Sequence, residues 1–559
     1  MIPAEWWLGV AILGPMLALP VLATRRPLLI GAVMAAAPAV QLVPLTLSGD
    51  LQLSVPWLLL EARFAVDALG GGLLLLSAPV SAAVLLMAVA QTQGNIRQAG
   101  LLAALTATIC AFAGVLLAAD LATFYFAYAV MTLGAYPLVV YRRDPEAFRA
   151  GRVYLGMAVL AEAAILAAVL LIAASGGNPD LAAVPGLVAE HPKAGLLVGL
   201  LLAGFAVKAG VVPLHAWLPL AHPAAPIPAS ALLSALLVKA ALIGWWRLLP
   251  VGEVALPTLG LAVIAAGVVT NLYANLIGIT QHRAKTVLAY STVSQMGLLT
   301  TLLGLGLIAP GVAGAALLAT VLFAIHHGLA KGALFLGCGL QGRGRGWYLL
   351  LPALALVGAP LTAGALGKLA IKEVAEPLFG PLAAWLLTAL SVLTALLMVR
   401  LLALVARGEG LGGDAPASRG AVVALIVAGL VVPWAVAALF WPELPGAMEG
   451  VGYWLDSSLP LIVGGALGAW LLVHRHGRDL PTIPEGDWIK PALLGGLRLR
   501  YALLRIWQRL PHPPRPPSLS VITRLSAAIE SRLVAVAMSG VLFLVLVLGI
   551  SLLGLLAGR

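Results

Sequence analysis

The sequence predicts an all-α membrane protein that crosses the bilayer many times. Of its 559 residues, 62% are hydrophobic and only 10% are charged, and the mean hydropathy is +1.04. This composition offers too little polar surface to cover a soluble globule, and apolar runs longer than a bilayer-spanning helix recur along the chain. Both observations predict a polytopic helical membrane protein.

Apolar windows of roughly twenty residues divide the chain into about sixteen predicted transmembrane helices. The last one follows a long polar segment, and the others are joined by short loops. The predicted spans are 6–24, 28–47, 69–90, 100–118, 121–140, 154–175, 195–217, 226–249, 254–278, 286–308, 311–339, 348–375, 380–405, 420–441, 457–474 and 533–556.

The loops between these spans alternate in charge. Basic residues such as Arg142, Arg283 and Lys285 collect in every second loop, and acidic residues such as Asp120 and Glu253 collect in the others. Because basic loops stay in the cytoplasm, the pattern predicts a multi-pass protein of the cell inner (cytoplasmic) membrane with both termini outside the cytoplasm. The net charge of +11 is then explained by the cytoplasmic face, without nucleic-acid binding.

The segment 475–532 before the last span differs from the other loops. Between residues 493 and 510, leucines and aromatic residues alternate with arginines at helical spacing, which predicts an amphipathic connector on the cytoplasmic interface. The prolines of LPHPPRPPS then interrupt it. Two interpretations remain open: a passive linker along the membrane, and a brace against a neighbouring subunit.

Four lysines lie inside predicted spans: Lys208, Lys239, Lys331 and Lys368. An ionisable side chain in a span is costly unless it faces protein or a water-filled cavity. An amine can be neutralised by burial, whereas a guanidinium stays charged, so lysine is the basic residue suited to proton exchange within a membrane. The four lysines together predict a proton relay. The alternative is that each is paired with a carbonyl or carboxylate, or extends to an interface.

Four motifs stand out around these lysines. They are KAGVVPLHAWLPLAHPAAPIPASALLSALLVKAALIGWWR at 208–247, KTVLAYSTVSQMG at 285–297, HHGLAKGALFL at 326–336 and GAPLTAGALGK at 358–368. Over residues 60–405 the chain resembles the antiporter-like subunits of respiratory complex I, of Mrp cation/proton antiporters and of membrane-bound hydrogenases. It is most similar to the distal antiporter-like subunit of complex I.

The resemblance implies a division of the chain into repeats. Two inverted five-helix repeats, 100–249 and 254–405, would each contain one broken helix. Further transmembrane helices would occupy 1–99 and 406–474, followed by the connector 475–532 and the final helix in 533–559.

The resemblance also assigns roles to individual residues. Lys208 would be the channel lysine of the first repeat, and Lys239 the connecting lysine on the next helix. His327 and Lys331 match the histidine and lysine of the helix between, and Lys368 matches the lysine on the broken helix of the second repeat.

The fifth helix departs from the family pattern. The family has a Trp-Glu pair there, and its glutamate pairs with the channel lysine, but this chain has Tyr128 and Ala129. The acidic residue usually found before the LAYST motif is also replaced, by Arg283. Glu162 in the sixth span is the carboxylate within the membrane part of the first repeat. Either Glu162 takes over the pairing with Lys208, or the first half-channel has lost coupling.

His215 and His222 are predicted at the cytoplasmic end of the first broken helix, where histidine can pass protons inward. For His222, a helix-capping or loop-packing role is the alternative. The adjacent His326 and His327 have the wrong spacing for two ligands on one helical face, so no metal site is expected. The sequence shows no phosphate-binding loop, haem pair or cysteine cluster, and we expect no cofactor in this chain.

These features predict a proton-translocating, antiporter-like subunit with no catalytic centre of its own. It would lie in the bilayer with other membrane subunits, coupled to a redox module of the quinone oxidoreductase or membrane-bound hydrogenase type. Two alternatives remain. One is a subunit of a non-redox transporter, such as an Mrp-type sodium/proton antiporter or an inorganic-carbon uptake complex, and the other is a membrane anchor with a vestigial channel.

Overall fold

The computed structural model describes residues 3–47, 49–342, 344–408, 416–474 and 483–486. The chain divides into two compact units, Met1–Thr482 and Ile483–Arg559, and every helix below belongs to the first unit. Apart from 483–486, the predicted connector 475–532 and the final span lie outside the described residues. The amphipathic helix at 493–510 therefore stays a prediction.

The described residues contain 13 helices that are long and apolar enough to cross a membrane. This confirms the predicted all-α polytopic class. The individual α-helices, including those too short to cross a membrane alone, are in chain order α1 Trp6–Leu17, α2 Pro27–Ala36, α3 Ala68–Thr92, α4 Gln98–Leu117, α5 Leu121–Val139, α6 Pro145–Gly176, α7 Val184–Glu190, α8 Ala194–Ala209, α9 Trp217–Ala224, α10 Ile227–Ala235, α11 Ala240–Leu248, α12 Pro257–Ile279, α13 Ala284–Ile308, α14 Pro310–Gly337, α15 Arg345–Val357, α16 Ala363–Phe379, α17 Pro381–Ala406, α18 Pro416–Phe440 and α19 Val451–His474.

Short 3₁₀ segments extend or join several of these helices. They span Leu19–Thr24, Ala37–Thr46, Leu181–Ala183, Leu237–Lys239 and Pro445–Glu449. The segment Leu237–Lys239 joins α10 to α11, so the pair crosses as one unit whose residues are all buried. Together with α13 and α14, this unit forms the centre of the bundle.

A small β-hairpin, which the sequence did not predict, lies between α2 and α3. Its strands β1 (Gln52–Val55) and β2 (Ala62–Ala65) pair in antiparallel fashion. The hairpin is anchored to the loops beside it, because the Arg63 backbone N–H donates to the Asp120 carboxylate at 2.7 Å and the Arg63 side chain forms an ion pair with Asp180 at 3.0 Å.

Two predicted spans are interrupted in the structure. The first stops at Ala209 and resumes at Trp217, which separates α8 from α9. The second stops at Val357 and resumes at Ala363, which separates α15 from α16. A glycine with positive φ follows each stop, Gly210 at 76° and Gly358 at 87°, because glycine ends a helix in this conformation without steric cost. The inverted relation of the two repeats and the count of sixteen spans stay predictions.

Contacts between loops follow the charge alternation of the sequence. On the side of the basic loops, Arg283 pairs with Glu146 in the first turn of α6, and the Arg400 Nε near the end of α17 donates to the Gln281 carbonyl at 3.0 Å. On the other side, Arg63 reaches Asp180, as described above. We call these the basic-loop face and the acidic-loop face. Loops on the same predicted side of the membrane therefore touch one another.

The helices α12 and α13 pack with their backbones in close approach. A Cβ atom at Gly267 would lie 2.5 Å from the Gly297 carbonyl oxygen, and one at Gly260 would lie 2.7 Å from the Gly304 carbonyl oxygen. Small residues permit such approach between membrane helices. The tight pair supports the polar side chains that α13 presents to the lysines at the centre.

Candidate proton path

Glu162 and Lys208 line the same small cavity, of about 10 Å³. The two residues come together because α6 packs directly on α8: a Cβ atom at Gly204 would meet the Ile165 side chain at 2.6 Å and the Ala161 carbonyl at 3.1 Å. A volume of this size is close to the minimum that holds one water molecule. The carboxylate on α6 therefore lies next to the lysine that lacks the usual carboxylate on α5.

Aromatic rings surround the Lys208 ammonium. Its Nζ lies 5.7 Å from the ring centroid of Tyr128 and 5.5 Å from that of Tyr154, which is within the range of cation–π attraction. Among the described residues, neither Lys208 Nζ nor the Glu162 carboxylate has a hydrogen-bond partner. The positive charge of Lys208 is thus compensated by the Glu162 carboxylate across the cavity and by the two tyrosine rings, without a direct hydrogen bond.

A series of hydrogen-bonded polar groups lies between Lys239 and Lys331. The Lys239 Nζ donates to the Ser234 carbonyl at 2.8 Å, and the Ser234 and Thr292 hydroxyls lie 2.7 Å apart. Thr292 donates to the Leu288 carbonyl at 3.0 Å, which also accepts from Lys331 Nζ at 3.1 Å. This series crosses from α10 through α13 to α14, at the centre of the bundle.

The 3₁₀ turn before Lys239 explains the first of these bonds. The Lys239 backbone N–H bonds to the Leu236 carbonyl, three residues back, as in a 3₁₀ turn rather than an α-helix. The change of pattern between α10 and α11 lets the Ser234 carbonyl accept from the Lys239 ammonium. A buried ammonium needs such partners because an unpaired charge in this setting is costly.

The predicted histidines are all buried. His222 stacks on Phe335 with ring centroids 4.8 Å apart, and His215 packs against Tyr273 at 5.4 Å. Both ring nitrogens of His222 and of His327 have no hydrogen-bond partner among the described residues. His215 was expected beside cytoplasmic water, but its side chain is 0% exposed, because α12 and α13 cover the break between α8 and α9.

Lys368 lies on α16, just after the second interrupted helix. Its ammonium donates to the Val357 carbonyl and to the Ser391 hydroxyl at 2.7 Å. A Cβ atom at Gly358 would lie 2.9 Å from the Lys368 Cδ, so the glycine leaves room for the lysine stem. Lys368 also lines a cavity of about 140 Å³ at the acidic-loop face, which we call the exit cavity.

Lys285 is a buried lysine that sequence reasoning placed among the loop charges. The structure buries it at 5% exposure, and its ammonium donates to the Pro223 carbonyl at 3.3 Å and to the Ala225 carbonyl. It thereby caps the end of α9, beside His222. The available signal was its position as the first residue of the KTVLAYST motif, and only the packing of α9 on α13 reveals the burial.

Arg247 was also missed as a buried charge. Its guanidinium forms an ion pair with Asp67 at 2.8 Å and donates to the Val115 and Leu116 carbonyls at 2.8 and 2.6 Å. It therefore caps the C-terminal end of α4, where carbonyls lack helical partners. An arginine at the end of a predicted span was the signal.

Comparison with known proteins gives the same family as the motifs. The family described as "NADH:quinone oxidoreductase/Mrp antiporter, TM" matches residues 118–397, a region that includes all four lysines. Among curated relatives, hydrogenase-4 component B of Escherichia coli K12 is 27% identical over 224 residues. That match covers 39% of this chain and 33% of the relative, so the chain spans about a third of that protein's length.

Two solved structures share the fold. The Mrp complex from Dietzia sp. DQ12-45-1b has a chain that superposes with a TM-score of 0.67 at 22% identity, covering 99% of this chain and 69% of that one. The membrane-bound sulfane sulfur reductase, an archaeal respiratory membrane complex, has a chain that superposes with a TM-score of 0.66 at 18% identity. The match covers 95% of this chain and 100% of that one.

Proposed function

This chain belongs to the NADH:quinone oxidoreductase/Mrp antiporter transmembrane family, and we propose that it carries protons as an antiporter-like subunit of a multisubunit membrane complex. The proposed path begins with Lys208 and its counter-charge Glu162. It continues through Lys239, His327 and Lys331 to Lys368. His215, His222 and Lys285 would supply the path from the basic-loop face.

The hydrogen-bonded series between Lys239 and Lys331 carries this proposal. Protons move along chains of groups that both donate and accept hydrogen bonds, and the hydroxyls of Ser234 and Thr292 are such groups. The Ser234 and Leu288 carbonyls that bond the two ammonium groups only accept, so the proton passes between each lysine and the nearest hydroxyl through water. The contact of the two hydroxyls at 2.7 Å places them between two fully buried ammonium groups. Burying two charges in a dry bundle for packing alone would be costly, whereas a proton relay requires them.

The ion in this proposal is the proton. Sodium sites in membrane proteins are built from carbonyl and carboxylate oxygens, but lysines occupy the corresponding central positions here. Lysine can release a proton, whereas it repels a metal cation. This argument favours protons over sodium along the described part of the path.

The complex that the chain serves is part of the proposal. The similarity to a hydrogenase-4 component supports coupling to a redox module. The alternation of loop charges supports an orientation with the basic loops in the cytoplasm and the acidic loops outside. The similarity of fold to a chain of an Mrp complex supports the alternative of a non-redox antiporter. Identification of the subunits that co-purify with the chain from its native membrane distinguishes the two.

The central relay can be tested in the assembled complex, purified and reconstituted into vesicles. Lys331→Met removes the ammonium while keeping an unbranched apolar stem, and Thr292→Val removes the connecting hydroxyl without changing the shape. Proton translocation, followed with a pH-sensitive dye, should fall about tenfold or more for Lys331→Met and by a smaller factor for Thr292→Val.

The matched control is Lys193→Met, because Lys193 is exposed on the acidic-loop face. It should translocate protons at the unmodified rate. Full activity in an assembled Lys331→Met complex would contradict the relay and favour the membrane anchor with a vestigial channel.

A further inference from the structure

The exit cavity is bounded on one side by the N-terminal part of α19. The Tyr453 hydroxyl accepts a hydrogen bond from the Leu361 backbone N–H at 2.8 Å, in the break between α15 and α16. One turn further along α19, Asp456 forms an ion pair with Lys372 at 2.8 Å. The helix α19 is therefore fastened both to the break and to α16, and it forms the rim of the cavity that Lys368 lines.

Lys372 places a second positive charge close to Lys368. The two residues are four positions apart on α16, so their side chains lie on one face of the helix. Lys372 is also 3.6 Å from Glu376, and both of its carboxylate partners are half-buried. With two carboxylates beside it, Lys372 keeps its own proton, whereas the ammonium of Lys368 bonds only to a carbonyl and a hydroxyl among the described residues.

We propose that the Lys372–Asp456 pair is an electrostatic gate that controls release of the Lys368 proton into the exit cavity. The inference rests on the proposed path through Lys368. The proton passes from the Lys368 ammonium to water in the cavity and then to bulk water, while Lys372 stays charged. Two positive charges about one helical turn apart repel each other in a partly hydrated site. The fixed charge on Lys372 therefore disfavours the protonated form of Lys368. Asp456 sets the strength of this repulsion.

Other charged and titratable groups face Lys368 from the neighbouring helices. The helix α14 contributes His326, whose ring would lie 3.0 Å from a Cβ atom at Gly364, one turn before Lys368. The groups that share the cavity itself are Tyr453 and Asp456 on α19 and Lys372, Glu373 and Glu376 on α16. The two glutamates lie toward the acidic-loop face and can accept the released proton on its way out.

The test uses the dependence of transport on pH at the acidic-loop face, measured in sided vesicles containing the whole complex with the opposite pH held constant. Lys372→Met removes the repelling charge, so the midpoint of the profile should move to higher pH. Asp456→Asn leaves Lys372 less compensated, so the midpoint should move to lower pH. Lys372→Arg keeps the charge and should keep the profile.

Opposite shifts are the decisive result, because loss of α19 docking alone would lower the rate of both variants without moving their midpoints in opposite directions. Glu190→Gln, which neutralises an exposed carboxylate on the same face away from the cavity, is the control and should leave the midpoint unchanged. If Asp456→Asn fails to assemble, the Lys372→Met profile alone decides.

The Lys368→Ala variant distinguishes failure of the gate from failure of the proposed proton path. If Lys368→Ala translocates protons normally, the proposed path itself is wrong at this residue. If Lys368→Ala is inactive but Lys372→Met and Asp456→Asn keep the unmodified midpoint, only the gate is overturned.

Discussion

Lys208 and Lys368 both lie beside a break in a helix, but their surroundings are opposite in kind. Lys208 faces a carboxylate and two tyrosine rings across a cavity of about 10 Å³. Lys368 bonds directly to a carbonyl and a hydroxyl and borders a cavity of about 140 Å³. The first site is nearly dry, whereas the second has room for several water molecules.

The difference indicates two ways of stabilising a buried ammonium. The Lys208 ammonium is stabilised by an opposite charge and by cation–π attraction, so its stabilisation should depend on Glu162. The Lys368 ammonium is stabilised by dipoles and solvent, so its stabilisation should depend on hydrogen-bond acceptors and on neighbouring charges. Variants of the two sites can therefore test the comparison.

The largest effect is expected at Lys208 itself. Lys208→Ala deletes the protonatable group and adds only a small apolar side chain, so translocation in the reconstituted complex should be lost or fall by about a hundredfold. Lys208→Arg should not restore it, because a guanidinium does not release its proton. Subunit composition after purification shows whether the complex is assembled. Full activity of either variant would remove Lys208 from the path.

A nearly equal effect is expected for Glu162→Gln, because the amide keeps the shape of the side chain but removes the counter-charge. Returning a carboxylate to α5 by Ala129→Glu in the Glu162→Gln background should restore part of the activity. Glu190→Gln serves as the control for loss of a carboxylate. Unchanged proton transport in Glu162→Gln would show that the carboxylate on α6 has not replaced the missing one on α5, and would favour a vestigial first half-channel.

The smallest effect is expected at Ser391, which supplies one of two acceptors to Lys368. A hydrogen bond to a charged group contributes about 2 kcal/mol, but water in the exit cavity can replace the lost hydroxyl. Ser391→Ala should therefore slow translocation by only about threefold, and Ser391→Thr should be close to unmodified. Ser175→Ala, at an exposed position, controls for the substitution. Complete loss of transport in Ser391→Ala would contradict the hydrated character of this site.

Several features could be predicted from the sequence because they depend on local composition. Hydropathy alone identifies a helix that spans the membrane, and the 13 long apolar helices among the described residues confirm the polytopic helical class. The motifs around Lys208, Lys239, Lys331 and Lys368 indicated the family, which the match over residues 118–397 confirms. The missing carboxylate on α5 was also visible in the sequence, and it directed attention to Glu162.

The remaining features depend on how helices that are distant in the sequence pack together. The Ser234–Thr292 contact joins residues 58 positions apart, and the Lys372–Asp456 pair joins residues 84 positions apart. Lys285 looked like a loop charge because the sequence does not show that α9 ends against it. The sequence by itself determined which segments cross the membrane and which residue types they carry, since each helix reflects its own apolar run. Only the tertiary structure decided which polar side chains meet, because a helix that is apolar on all sides does not specify by its pattern which face contacts which neighbour.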